Sequence, residues 1–166
     1  MPEPTRIVVV NTTPIIALAL IGQLDILQQL YREVVIPPTV QHEVLSGGSG
    51  GIGVIELQRA NWIRIVPLQD PRRADLLLSD LDRGEAEVIA LAHELNADLA
   101  IVDERLARHH ARRLGLTLTG TLGVLLKAKE LGFVPAVGPL IDQLRLGGIR
   151  LGDAVVAEAL KLAGES

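Results

Sequence analysis

The stretch that decides the fold is Gly84–Arg113, GEAEVIALAHELNADLAIVDERLARHHARR. Ala86, Ile89, Ala90 and His93 recur at helical spacing behind Gly84 and Glu85. Asn96 and Asp98 punctuate. Leu99–Val102 is then a short apolar strand, closed by Asp103 and Glu104, and a basic helix over Arg105–Arg113 follows. This helix–strand–helix order is half of a parallel α/β unit. Ligands of such sheets bind beyond the carboxyl ends of the strands, where Asp103 and Glu104 fall. The first helix runs antiparallel to the strand, so Glu85 at its start is expected near that same edge. Converging carboxylates suit hard cations such as Mg²⁺ or Mn²⁺. Each acid also has a purely structural role open to it: Glu85 favours the positive end of its helix, and Asp103 is placed to cap the next one.

Outward from this unit, Ile7–Val10 reads as a central strand buried on both faces, with Asn11 and Thr12 at its carboxyl end. Thr13 is expected to cap a helix entered through Pro14 and ended near Gly22. A second helix is expected over Leu24–Tyr31. Val34–Ile36 is the second strand, and a helix from Thr39 to Leu45 brings Glu43 back towards the strand ends, unless Glu43 is merely a surface acid. Ser46–Gly53, SGGSGGIG, lacks the lysine of a phosphate-binding loop and reads as a mobile loop near the active edge. Val54–Ala60 is expected helical, Trp62–Val66 a third strand, and Arg72–Leu81 a helix. Leu116–Thr119 closes the sheet. Helices over Thr121–Leu131, Ala136–Leu146 and Asp153–Leu162 form a C-terminal extension placed to cover an edge or join a dimer. The expected fold is a three-layer α/β/α sandwich on a short parallel sheet of about five strands, in one domain over 1–166 with 121–166 as its helical extension.

Composition narrows the function. The chain has 166 residues, 48% of them hydrophobic, enough to bury roughly 70% of its unfolded surface in one core. Without cysteine, disulfides and thiolate metal sites are excluded. The longest apolar runs, such as Ile15–Ile21, fall far short of the ~20 residues of a membrane helix. The polar break Asn11–Pro14 argues against a signal peptide, so a cytoplasmic protein without membrane association is expected. The net charge of −4 argues against a global grip on nucleic acid, though not against a local basic patch. Tyr31, Trp62 and Phe133 are the only aromatics, too few for a base-stacking platform. On the basic helix, Arg105, Arg108 and Arg112 share a face, available to grip a phosphate backbone or simply to face solvent.

Five blocks carry a resemblance: IVVVNTTPIIALALIGQLDIL at Ile7–Leu27, VVIPPTVQHEV at Val34–Val44, GEAEVIALA at Gly84–Ala92, LAIVDERLAR at Leu99–Arg108 and GTLGVLLKAKELGFVP at Gly120–Pro135. In this order they resemble the PIN-domain nucleases, and among them a toxin-like (VapC-like) subfamily with an extended helical C-terminus. The resemblance implies metal-dependent hydrolysis of RNA phosphodiester bonds, Mg²⁺ or Mn²⁺ as cofactor, a small antitoxin as protein partner, and a homodimer. It implies Asn11, Glu43, Glu85 and Asp103 as metal ligands, with Glu104 sharing or replacing the role of Asp103. Glu43, Glu85 and Asp103 are then the catalytic acids, Thr12 a supporting hydroxyl, and Arg105, Arg108 and Arg112 contacts to the RNA backbone. The chain departs from the family at Asn11, where an acid is usual. An amide oxygen brings no charge, which motivates the alternative of a weakened or inactive PIN-fold regulatory module. A phosphate-acceptor regulator is a third α/β option, but the third strand ends in Pro67, without an acceptor aspartate.

Overall fold

The computed structural model describes residues 6–47 and 50–166. Its five strands are β1 (Ile7–Val10), β2 (Glu33–Ile36), β3 (Ile63–Ile65), β4 (Leu99–Ile101) and β5 (Leu118–Thr119). They form one parallel sheet in the order β3-β2-β1-β4-β5. Val8–Val10, Val34–Ile36 and Leu99–Val102 are all buried, as expected where helices cover both faces of a parallel sheet. The fold is the expected α/β/α sandwich on a five-stranded parallel sheet.

The order places β1 at the centre, flanked by β2 and β4. The chain moves outward from β1 through β2 to β3, then crosses back to β4. The crevice at the carboxyl ends of β1 and β4 is therefore the topological switch point of the sheet. Val10 pairs with Ile101, and the Asn11 N–H donates to the Ile101 carbonyl at 3.0 Å. Asn11 and the Val102–Asp103 segment thus leave the sheet side by side.

Helices α1 (Thr12–Leu20) and α2 (Ile26–Leu30) follow β1, α3 (Pro38–Leu45) and α4 (Val54–Arg59) follow β2, and α5 (Arg72–Asp75) and α6 (Arg83–Glu94) precede β4. Helix α7 (Arg105–Arg113) joins β4 to β5, and α8 (Thr121–Glu130), α9 (Gly138–Leu146) and α10 (Asp153–Leu162) complete the chain. Helix α6 packs on β1 and β4 and contacts α7, while α8 packs on α1 and α2 and carries α10. The C-terminal extension covers the first helices.

Two local expectations change, and a third is only partly within the described residues. Helix α1 begins two residues earlier than its Thr13 signal suggests: Asn11 is the N-cap, and Pro14 falls within the first turn, where no intrahelical donor is needed. The helix expected over Arg72–Leu81 ends at Asp75. Beyond it Leu77, Leu78 and Asp80 donate to carbonyls three residues back, the tighter spacing of turns rather than of an α-helix. Three consecutive leucines cannot share one helical face, and Leu76 is left exposed. Finally, part of the glycine loop read as mobile, Gly48 and Ser49, lies outside the described residues.

Candidate active site at the switch-point crevice

Four chain segments converge on the carboxyl edge of the sheet, and each is fixed by local chemistry. Asn11 is only 3% exposed. It takes the N-cap position of α1 in an extended conformation but makes no side-chain capping bond. Its carboxamide is therefore not consumed by the helix end.

Thr12, the first residue of α1, donates its hydroxyl to Glu43 Oε2 at 2.5 Å. This bond spans 31 residues and joins the end of β1 to α3. Glu43 is half-buried and faces the start of α6 at Gly84, where any Cβ would collide with the Glu43 carboxylate. Glycine here is a matter of close approach: a side chain at this position would displace the Glu43 carboxylate from where it stands.

Glu85 follows at once. Asp82 caps α6, accepting from the Glu85 N–H at 2.8 Å, and Glu85 Oε1 accepts from the Asp82 N–H at 3.2 Å. This reciprocal pair is a capping box. Burial raises the Glu85 carboxyl above its ordinary value; the Asp82 N–H bond opposes this, and the negative charges of Asp82 and Glu104 reinforce it. Glu85 and Glu104, distant in sequence, thus share one electrostatic neighbourhood.

Asp103 does not cap the helix that follows it; Glu104 takes the N-cap position of α7. Instead both Asp103 oxygens accept from Thr121, Oδ1 from its N–H at 2.7 Å and Oδ2 from its hydroxyl at 2.6 Å. Thr121 is the first residue of α8, so Asp103 satisfies an orphan donor of that helix from the end of the neighbouring strand. The preceding Gly120 leaves space for it, since a Cβ there would come within 2.5 Å of Asp103 Oδ1. Arg108 Nη1 donates to the Val102 carbonyl at 2.9 Å. Burial, then the charge of Arg112, pulls this guanidinium below its ordinary value, while Asp103 pulls it back up.

The geometry thus joins Asn11 and Thr12 with Glu43 and Gly84, and Asp103 with Thr121 and Arg108. Glu85 is tied to Asp82 and lies in the field of Glu104. Among the described residues no three Asp, Glu or His side chains are drawn into a ready-made cation cage. The acids stand as engaged pairs around the crevice. Arg105, Arg108 and Arg112 line one cavity beside it together with Asp103 and Glu104. His109 is exposed and His110 is turned to Asp80 at 2.9 Å.

Sequence reasoning overlooked Gly84, Gly120, Thr121 and Asp82. Asp82 was recoverable, because Asp-x-x-Glu before an apolar periodic run is a capping-box signature. Gly84 and Gly120 signal nothing until the carboxylates beside them are known.

All donors here are hard oxygens, and two glycines make room for two of the carboxylates. This chemistry fits Mg²⁺ or Mn²⁺ and none of the softer metals that thiolates select. An acid-bearing crevice at the switch point of a doubly wound parallel sheet, with a basic helix at its rim, defines a nuclease-type α/β protein. The chain matches the family DUF3368, described as a PIN domain, over residues 7–165, and it belongs to that family. PIN domains are nuclease folds that generally use divalent metal ions and typically bind RNA. Curated proteins yield no match. No described helix is long and apolar enough to cross a membrane.

Proposed function

We propose that the protein is a metal-dependent endoribonuclease, one domain over 1–166, acting as the toxin of a toxin–antitoxin pair. The observation that carries the enzymatic part is the bond from Thr12 to Glu43 beneath Gly84. It brings the ends of β1, α3 and α6 together at the switch point beside Asp103. The toxin role, the small antitoxin partner and a homodimer rest on the family likeness.

In this reading Asn11, Glu43, Glu85 and Asp103 hold Mg²⁺ or Mn²⁺, with Glu104 able to share the role of Asp103. The ion, when bound, activates water and neutralises charge on the scissile phosphate. Thr12 and Thr121 orient Glu43 and Asp103, and each bond leaves further carboxylate lone pairs available. Arg105, Arg108 and Arg112 hold the RNA backbone through charge-assisted bonds. With Asn11 in place of an acid, the four ligands carry three negative charges, which favours one ion over two.

The test is cleavage of structured RNA by the purified protein, with Mg²⁺ or Mn²⁺ and with chelator. Cleavage should require the metal and disappear in Glu43→Gln and Asp103→Asn. Cleavage that persists in chelator would refute the reading. The second reading, a non-catalytic PIN-fold module, is favoured by Asn11 alone; it predicts that no condition yields cleavage.

A further inference from the structure

Beside the acidic crevice lies a cavity of about 840 Å³, within the roughly 300–1,000 Å³ range of small-ligand sites. It is bounded by α7, the β5–α8 turn and the connection between α9 and α10. Helix α7 contributes Arg105, Arg108 and Arg112, and the α9–α10 connection adds Arg150. Among the described residues none of these four guanidiniums is in an ion pair. Arg145, by contrast, is bound to Asp153 at 3.1 Å and to the Leu151 carbonyl at 2.8 Å, which holds the connection in place. Gly148, at φ +93°, makes the turn that begins it. In a chain of net charge −4, four cations facing only two acids, Asp103 and Glu104, at one cavity form a local positive excess.

The rest of the lining differs in kind. Ile149, Leu151 and Val155 of the C-terminal extension supply an apolar surface, backed by the buried Leu144. Asp103 and Glu104 place the cavity in direct continuity with the crevice. A ligand suited to it carries a compact anion that guanidinium forks bind bidentately, together with an uncharged flat body for the apolar surface.

We propose that this cavity is a nucleotide subsite. It receives the ribonucleotide flanking the phosphate presented to the crevice, with that nucleotide's own phosphate among Arg105, Arg108, Arg112 and Arg150. The base lies against Ile149, Leu151 and Val155. No aromatic residue lines the cavity, so the base is held by apolar packing rather than stacking, and discrimination between bases is weak. The C-terminal extension thereby forms part of the substrate site. The proposal rests on the nuclease reading for its substrate, but binding can be measured without metal or turnover.

Calorimetric titration of the full chain with 5′-AMP and with inorganic phosphate, both in chelator, tests it. AMP should bind about ten-fold or more tighter than phosphate, a difference of about 1.4 kcal/mol. Val155→Asn, at an exposed position on α10, should cut the advantage of AMP and, adding no charge, leave phosphate binding unchanged. Arg112→Gln, also exposed, should weaken both ligands. Equal affinity for AMP and phosphate would overturn the subsite. So would AMP binding that is indifferent to Val155→Asn. Tighter binding of an aspartate-rich peptide, lost in Arg112→Gln, would overturn it in favour of a protein ligand. Metal-dependent cleavage without AMP binding would refute the subsite and leave the nuclease reading standing. AMP binding with the predicted variant pattern, but without cleavage under any condition, would support the subsite and refute that reading.

Discussion

Glu85 closes the capping box that starts α6, yet its carboxyl is half-buried in the field of Asp82 and Glu104. Its folded value is raised, so between the ordinary carboxylate range and that value the folded chain binds more protons than the unfolded chain. Stability is therefore lost as pH rises through this window, and at neutral pH the charged carboxylate is a net cost. Glutamine retains the acceptor for the Asp82 N–H and removes the charge. Glu85→Gln should melt at a higher temperature than wild type at pH 7, with the two curves converging near pH 4, while RNA cleavage is lost. Calorimetry at the two pH values checks this; a lower melting temperature at pH 7 would show that capping outweighs charge crowding. Asn11 presents the reverse situation, a buried position at the crevice with no formal charge. Asn11→Asp should tighten Mn²⁺ binding measured by titration calorimetry. Unchanged or weaker binding would remove Asn11 from the ligand set.

Among the elements, the β-branched runs at Ile7–Val10 and Val34–Ile36 were legible because burial on both faces leaves few other readings. The basic helix was found at its observed bounds, Arg105–Arg113, since Asp103 and Glu104 close the strand before it and the run of arginines and histidines marks its length. What could not be read was where acids from one element attach to another. Asp103 looked like the cap of α7 and instead holds the start of α8 through Thr121. Nothing local to Asp103 encodes a partner 18 residues away. The end of the chain shows the same principle. Glu165 accepts from the Val137 and Gly138 N–H groups and from Lys129 Nζ, each at 2.8 Å, clasping the C-terminus to the start of α9. These bonds, that from Lys129 first, hold its carboxyl down at about 2. Because the folded value lies below the ordinary 4.5, the clasp stabilises the fold above that ordinary range and is lost as pH falls towards 2. Melting temperatures between pH 6 and pH 3 should fall less steeply for Glu165→Gln than for wild type; parallel curves would show that the clasp does not contribute.

At the scale of the molecule, the strand order β3-β2-β1-β4-β5 does what no single motif does. By reversing direction at β1 it gathers residues from positions 11, 43, 85 and 103 to one end of the sheet. The α/β class and the five parallel strands followed from the alternation of elements, and the positions of Glu85 and Asp103 at the carboxyl edge followed from a helix start and a strand end. The pairing of those acids with Thr12, Thr121 and Asp82, and the glycines that admit them, required the assembled fold. The central claim is that these separated acids form one cation site. Titration of the metal-free protein with Mn²⁺, followed by electron paramagnetic resonance, tests it most directly. Wild type should bind Mn²⁺, and Glu43→Gln, Glu85→Gln and Asp103→Asn should each weaken binding by more than the roughly 10–100-fold that loss of an outer-sphere partner costs. Wild-type affinity in all three variants, or no Mn²⁺ bound by the wild-type protein, would contradict the account.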